Sequence, residues 1–149
     1  MDVFKPVGNV QHSGTFNAHL VPVLTGLAFM KEIKKPEFYR HLQELEQRFH
    51  EKIDSAIKKN DLNIIVPKFG ARFDIVLGRK EEPIRYEDTF CHDKDLMVEV
   101  VRECLKNGVF FHDYGGSPVH HGYSIQHSIE EIDTVAEVLS TAFIKVLGS

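Results

Sequence analysis

The chain has no tryptophan and only two cysteines, Cys91 and Cys104, which stand outside any C-x-x-C spacing. That excludes a disulfide framework and a zinc knuckle, and it sets the expectation of a reducing, cytoplasmic setting. Long apolar runs are missing too. Nothing approaches the roughly 20 consecutive apolar residues of a membrane span, so no membrane insertion is expected. Basic charge is not in excess: 18 Lys and Arg against 22 Asp and Glu leave a formal charge of −4. The electrostatic footprint of nucleic-acid binding is therefore absent, and no nucleic-acid partner is expected. Residues 1–6 show no basic stretch followed by an apolar one, so no secretory leader is expected there.

The remaining pattern is that of a folded chain. A length of 149 residues suits about one domain, which would bury roughly 70% of its unfolded surface. The stretch Ser13-Gly14-Thr15-Phe16-Asn17-Ala18-His19 reads as a tight turn feeding a helix N-terminus. Free backbone N–H groups there, with the Thr15 hydroxyl beside them, suit a phosphate better than a metal. The helix should start near residues 17–19 and run to about Ile33, and it is apolar nearly all round, through Leu20, Val23, Leu24, Leu27, Ala28 and Met30. Such a helix expects cover on more than one side.

Pro36 opens a second helix, in which Phe38, Leu42, Leu45, Phe49, Ile53, Ala56 and Ile57 recur at steps of three and four. Beyond it, Ile64–Val66 and an alternating strand over 71–78 are expected, followed by a charged loop over 79–88 in which residues 84–86 could form an edge strand. A third helix over 93–106 ends at Asn107-Gly108. Strands over 109–111 and 123–125 flank a glycine-rich loop over 113–118. Ser128 and Glu131 form a capping box at the start of the last helix. The fold expected is thus α/β (α+β): a small antiparallel or mixed sheet covered by helices on one face, preceded by a long apolar connecting helix.

Residues 1–33 do not belong to that arrangement. That mismatch comes with Ser-Gly-Thr-Phe-Asn-Ala-His, with Asn107-Gly108-Val109-Phe110-Phe111, and with Gly122-Tyr123-Ser124-Ile125-Gln126-His127-Ser128. Together they resemble the C-terminal part of a fold-type I, class III aminotransferase, on the side of the glutamate-1-semialdehyde aminomutase branch. The resemblance runs over essentially the whole chain, and its most specific piece is the Gly14–Ala18 turn with the helix after it. It implies that residues 1–33 are a remnant of the large cofactor domain and that residues 34–149 are the C-terminal small domain. It also implies a homodimer acting on a small amino acid or amino-aldehyde, in which Gly14 and Thr15 meet the phosphate of pyridoxal 5'-phosphate bound mainly by the other subunit.

In that family the Schiff-base lysine lies in a Gly-rich turn before the Gly-Thr pair, with the aspartate for the pyridine nitrogen earlier still. No lysine of this chain stands in such a turn. The expectation is therefore a segment without a catalytic residue of its own, inactive alone and not retaining the cofactor. His120 and His121 are expected to border the substrate entrance, and no metal site is expected from the nine histidines, since adjacent histidines on an extended chain do not face one ion. Arg72 could meet a substrate carboxylate or simply be a surface arginine. The competing expectation is a non-catalytic α/β module for dimerisation or small-ligand binding.

Overall fold

In the first unit of the chain, Met1–Phe38, the polar turn ahead of the apolar run forms as its residues dictate. The Asn17 N–H donates to the Gly14 carbonyl at 3.0 Å and the His19 N–H to the Phe16 carbonyl at 3.1 Å. Between them Ala18 takes a φ of +58°, a left-handed conformation that redirects the chain. Helix α1 (Leu20–Ile33) follows, with Pro22 in its first turn, where a missing N–H leaves nothing unpaired. None of its residues is buried. The computed structural model describes residues 2–112 and 120–148; the glycine-rich loop expected over 113–118 lies outside the described residues.

The second unit, Tyr39–Ser149, is built on α2 (Pro36–Lys59), whose stripe Leu45, Phe49 and Ile53 is fully buried. Against it pack Val100 and Cys104 of α3 (Lys94–Lys106) and Ile132, Ala136, Leu139 and Phe143 of α4 (Ile129–Leu147). The helix ends are chemically defined. Asp93 Oδ1 accepts from the Asp95 and Leu96 N–H groups at 3.1 and 3.0 Å. At the far end of α3, Gly108 takes a φ of +82°. There the Val109 N–H reaches the Cys104 carbonyl and the Gly108 N–H the Leu105 carbonyl, both at 3.0 Å, which is a Schellman closure. Ser128 and Glu131 make the expected box: the Glu131 N–H donates to Ser128 Oγ at 3.2 Å and the Ser128 N–H to Glu131 Oε2 at 2.7 Å. The Arg48 guanidinium meets both oxygens of Asp133 at 2.7 and 2.8 Å, joining α2 to α4 and holding that carboxyl well below the usual carboxylate range.

Two small antiparallel sheets complete the unit. β1 (Ile64–Ile65) pairs with β4 (Val76–Leu77). β2 (Lys68–Phe69), β3 (Arg72–Phe73) and β5 (His121–Gly122) form the other sheet in the order β2-β3-β5. Its register places Lys68, Phe73 and His121 in one row and Phe69, Arg72 and Gly122 in the next. Phe73 and His121 are buried, whereas Phe69 is 90% exposed, so the core lies on one side of this sheet.

The strand expected over 71–78 is divided between the two sheets. Asp74 Oδ1 takes the Ile75 N–H at 2.7 Å and withdraws it from any ladder. Residues 109–111 form no strand, although Val109 and Phe111 are buried with Phe110 exposed between them. Residues 123–125 form none either: the Ser124 N–H is taken by His127 Nδ1 at 2.9 Å, and the strand lies two residues earlier. Residues 84–86 lead into a 3-10 turn, Tyr86–Thr89, because Asp88 Oδ2 accepts from the Ile84 and Arg85 N–H groups.

Candidate functional site

Gly14 and Thr15 lie in the first unit, in the turn that ends at α1. Gly14 lies against the Asn17 side chain: a Cβ there would sit 2.7 Å from Asn17 Oδ1 and make that side chain shift. Thr15 is exposed, and among the described residues neither its hydroxyl nor its N–H has a hydrogen-bond partner. The N-cap of α1, His19, makes no side-chain capping bond. Thr15 therefore keeps uncommitted donors in the turn that leads into α1, the kind of donor an anionic phosphate uses.

A Schiff-base lysine needs a desolvated ammonium. Among the described residues no lysine is buried: eleven are exposed, and Lys52 is half-buried with its Nζ 3.1 Å from Asp133. The donors of the turn thus suit an anionic phosphate such as that of the cofactor the sequence resemblance implies, and no described lysine is buried.

His120 and His121 lie in the second unit, at and just before β5. They line a cavity of about 380 Å³ together with His112, His127 and the rings of Phe49, Phe73, Phe111 and Tyr123. The His121 ring packs 5.5 Å from Phe73 and edge-on to Phe111 at 5.2 Å, centroid to centroid. Burial, with His120 and His112 nearby, brings the His121 imidazole down to about 4. His127 is fixed from two sides. Its Nδ1 accepts from the Ser124 N–H, and its carbonyl is 2.9 Å from His41 Nε2 on α2. An accepting Nδ1 places the ring proton of a neutral His127 on Nε2.

Arg72 is exposed on the outer row of the sheet and forms no ion pair with the described residues. Its stem lies across Gly122, where a Cβ would come within 2.9 Å of Arg72 Cδ and 2.7 Å of the Ala71 carbonyl oxygen. Among the described residues no group of three His, Cys, Asp or Glu is arranged to hold a metal ion. No helix among them is long and apolar enough to cross a membrane.

The sequence reading missed His50. It is 2% exposed on α2, with both ring nitrogens unpartnered, edge-on to Phe49 and Phe73. Burial first, and Lys68 second, bring it to about 4. It stands beside the apolar stripe at Phe49, and a stripe read one residue wider would have taken it in. The Tyr123 hydroxyl was missed as well: it is buried without a partner, and burial followed by the Glu46 charge raises its phenol above the ordinary range. Cys104 is a core thiol, as its place on the apolar face of α3 suggests, pushed up to about 12 by burial.

The fold just described is that of transaminases. An omega-transaminase from Sphaerobacter thermophilus superposes with a TM-score of 0.80 at 19% identity, over 97% of this chain and 33% of its own. A second transaminase, solved with PLP bound, gives 0.75 at 23% identity over 98% and 32%. In sequence the chain is similar to glutamate-1-semialdehyde 2,1-aminomutase. It is 31% identical to that of Akkermansia muciniphila over 93% of this chain, and 29% identical to that of Caldivirga maquilingensis over 96%. It spans about a third of the length of these relatives. No family model matches the chain. The likeness seen in the residues to the C-terminal part of an aminotransferase holds, and so does the α/β fold expected from the order of the elements.

Proposed function

We propose that this chain supplies the phosphate-binding turn and the C-terminal small domain of a pyridoxal-phosphate-dependent aminotransferase or aminomutase of class III. Residues 1–33 are the part that belongs with the large cofactor domain, and residues 34–149 are the small domain. The observation that carries the reading is the match to glutamate-1-semialdehyde 2,1-aminomutases along almost all of this chain. The uncommitted donors of Thr15 support it independently. When bound, pyridoxal phosphate supplies the electron sink for moving an amino group. The Thr15 hydroxyl and N–H hold its phosphate across a homodimer, and Gly14 lets the turn close against Asn17. His120 and His121 border the entrance for a small amino acid or amino-aldehyde, in a cytoplasmic enzyme.

The chain by itself is inactive in this reading, because no described lysine has the burial that a Schiff base needs. Adding pyridoxal phosphate, reducing with borohydride and mapping the labelled peptides tests this. Labelling scattered over exposed lysines is expected. Label concentrated on one lysine, lost with its substitution by Arg, would contradict it. A second reading, a non-catalytic module for dimerisation or small-ligand binding, is favoured by the exposed apolar side chains of α1.

A further inference from the structure

We infer that the cavity beside β5 is a binding site for an uncharged, planar aromatic or unsaturated group carrying one hydrogen-bonding atom, and that His121 is the residue that receives that atom. The walls decide the class. Phe73 stacks with Tyr123 at 6.1 Å and 28°, Phe49 lies 4.6 Å from Phe73, and Phe111 stands edge-on to both Phe73 and His121. Flat aromatic walls held by one another favour a flat guest, which gains by stacking and edge contacts. Among the described residues that line it, none is Asp, Glu, Lys or Arg, so those residues offer a charged guest no counter-charge to replace its hydration.

His121 supplies the specificity. The residue is 8% exposed, and neither of its ring nitrogens hydrogen-bonds to another described residue. A neutral imidazole offers one donor and one acceptor, so it can serve a carbonyl, a hydroxyl or a ring nitrogen. His127, with its Nδ1 occupied by the Ser124 N–H, adds an Nε2 donor to the same lining. At about 380 Å³ the cavity falls within the size of small-molecule pockets, whose walls are mostly apolar with a few placed polar groups. The inference stands apart from the proposed function, since the residues that form the cavity all lie within residues 39–149.

The test uses the 149-residue chain with benzyl alcohol, benzoate and succinate as probes, read by NMR at the histidine Cε1–H and phenylalanine ring signals. Benzyl alcohol should produce saturable shifts at His121, Phe73 and Phe111, with benzoate at least about tenfold weaker and succinate without effect there. His121→Phe, which keeps the ring packing but removes the nitrogens, should weaken benzyl alcohol about tenfold, and Val135→Phe should block it by filling the space. Both variants are to show the parent's circular dichroism and melting profile. Benzyl alcohol binding that is absent, no stronger than that of benzoate, unaffected by His121→Phe in a folded variant, or mapped away from these rings would overturn the proposal. Inorganic phosphate followed at the Thr15 N–H in the same samples reports on the other reading, so the two can fail separately.

Discussion

His50 and His121 are neutral imidazoles in a core, and that has a signed consequence. Both are lowered from 6.5 to about 4 by burial, so between those values the unfolded chain binds more protons than the folded one. Their contribution to stability is complete above 6.5 and is lost as pH falls toward 4, on the order of 2–3 kcal/mol for each imidazole. Urea unfolding at stepped pH checks it. His50→Leu should leave stability at pH 7 equal or about 1 kcal/mol higher, because two unpartnered nitrogens leave the core, and should flatten the acid limb. An unchanged acid limb would contradict the account of His50. The carboxyls lowered by ion pairs or caps, such as Asp133 and Glu131, are common to the parent and the His50→Leu variant and cancel in the comparison. At this scale the chain was only partly legible. The turn ahead of α1 could be read because turn chemistry is local. His50 sat one residue outside the stripe as read, and its burial depends also on Phe73 of β3, remote in sequence.

Among the elements, the helices follow from the residues and the short strands do not. Asp93, Ser128, Glu131 and Gly108 terminate their helices as cap chemistry requires, and α2 buries the stripe its spacing announced. Ser128→Ala should therefore cost about 1 kcal/mol of unfolding free energy, and Leu45→Ala, at a fully buried position, about 2–5 kcal/mol. Denaturant midpoints measure both, and a Leu45→Ala loss as small as that of Ser128→Ala would contradict the placement of α2. Each strand is two residues long. At that length a single side-chain bond, such as Asp74 to the Ile75 N–H or His127 to the Ser124 N–H, decides whether a ladder continues. Hydrophobic alternation over 71–78 and 109–111 shows burial correctly but not which N–H groups find a strand partner. Gly78, at a φ of +87°, would bring a Cβ within 2.7 Å of the Cys91 carbonyl oxygen, so Gly78→Ala should destabilise the β1–β4 pair, seen as faster amide exchange at Ile65 and Val76.

Over the whole molecule, α1 carries Leu20, Val21, Leu24, Leu27 and Phe29 at more than half exposure. A contiguous apolar surface of that kind drives association, and sedimentation velocity across a concentration series should show the chain self-associating. A single monomeric species at high concentration would contradict this, and Leu24→Lys with Leu27→Lys should reduce the association.

The central claim is that the turn at Gly14–Ala18 grips the phosphate of pyridoxal phosphate, and one titration addresses it. Amide spectra of the chain are recorded with pyridoxal phosphate, with pyridoxal, and with Thr15→Val. The account predicts saturable shifts at the Thr15 and Phe16 N–H signals for pyridoxal phosphate and none there for pyridoxal. Thr15→Val should weaken the effect about tenfold or more, as loss of one hydrogen bond to a charged group requires. Equal shifts with pyridoxal, or phosphate-dependent shifts located elsewhere and indifferent to Thr15→Val, would contradict it.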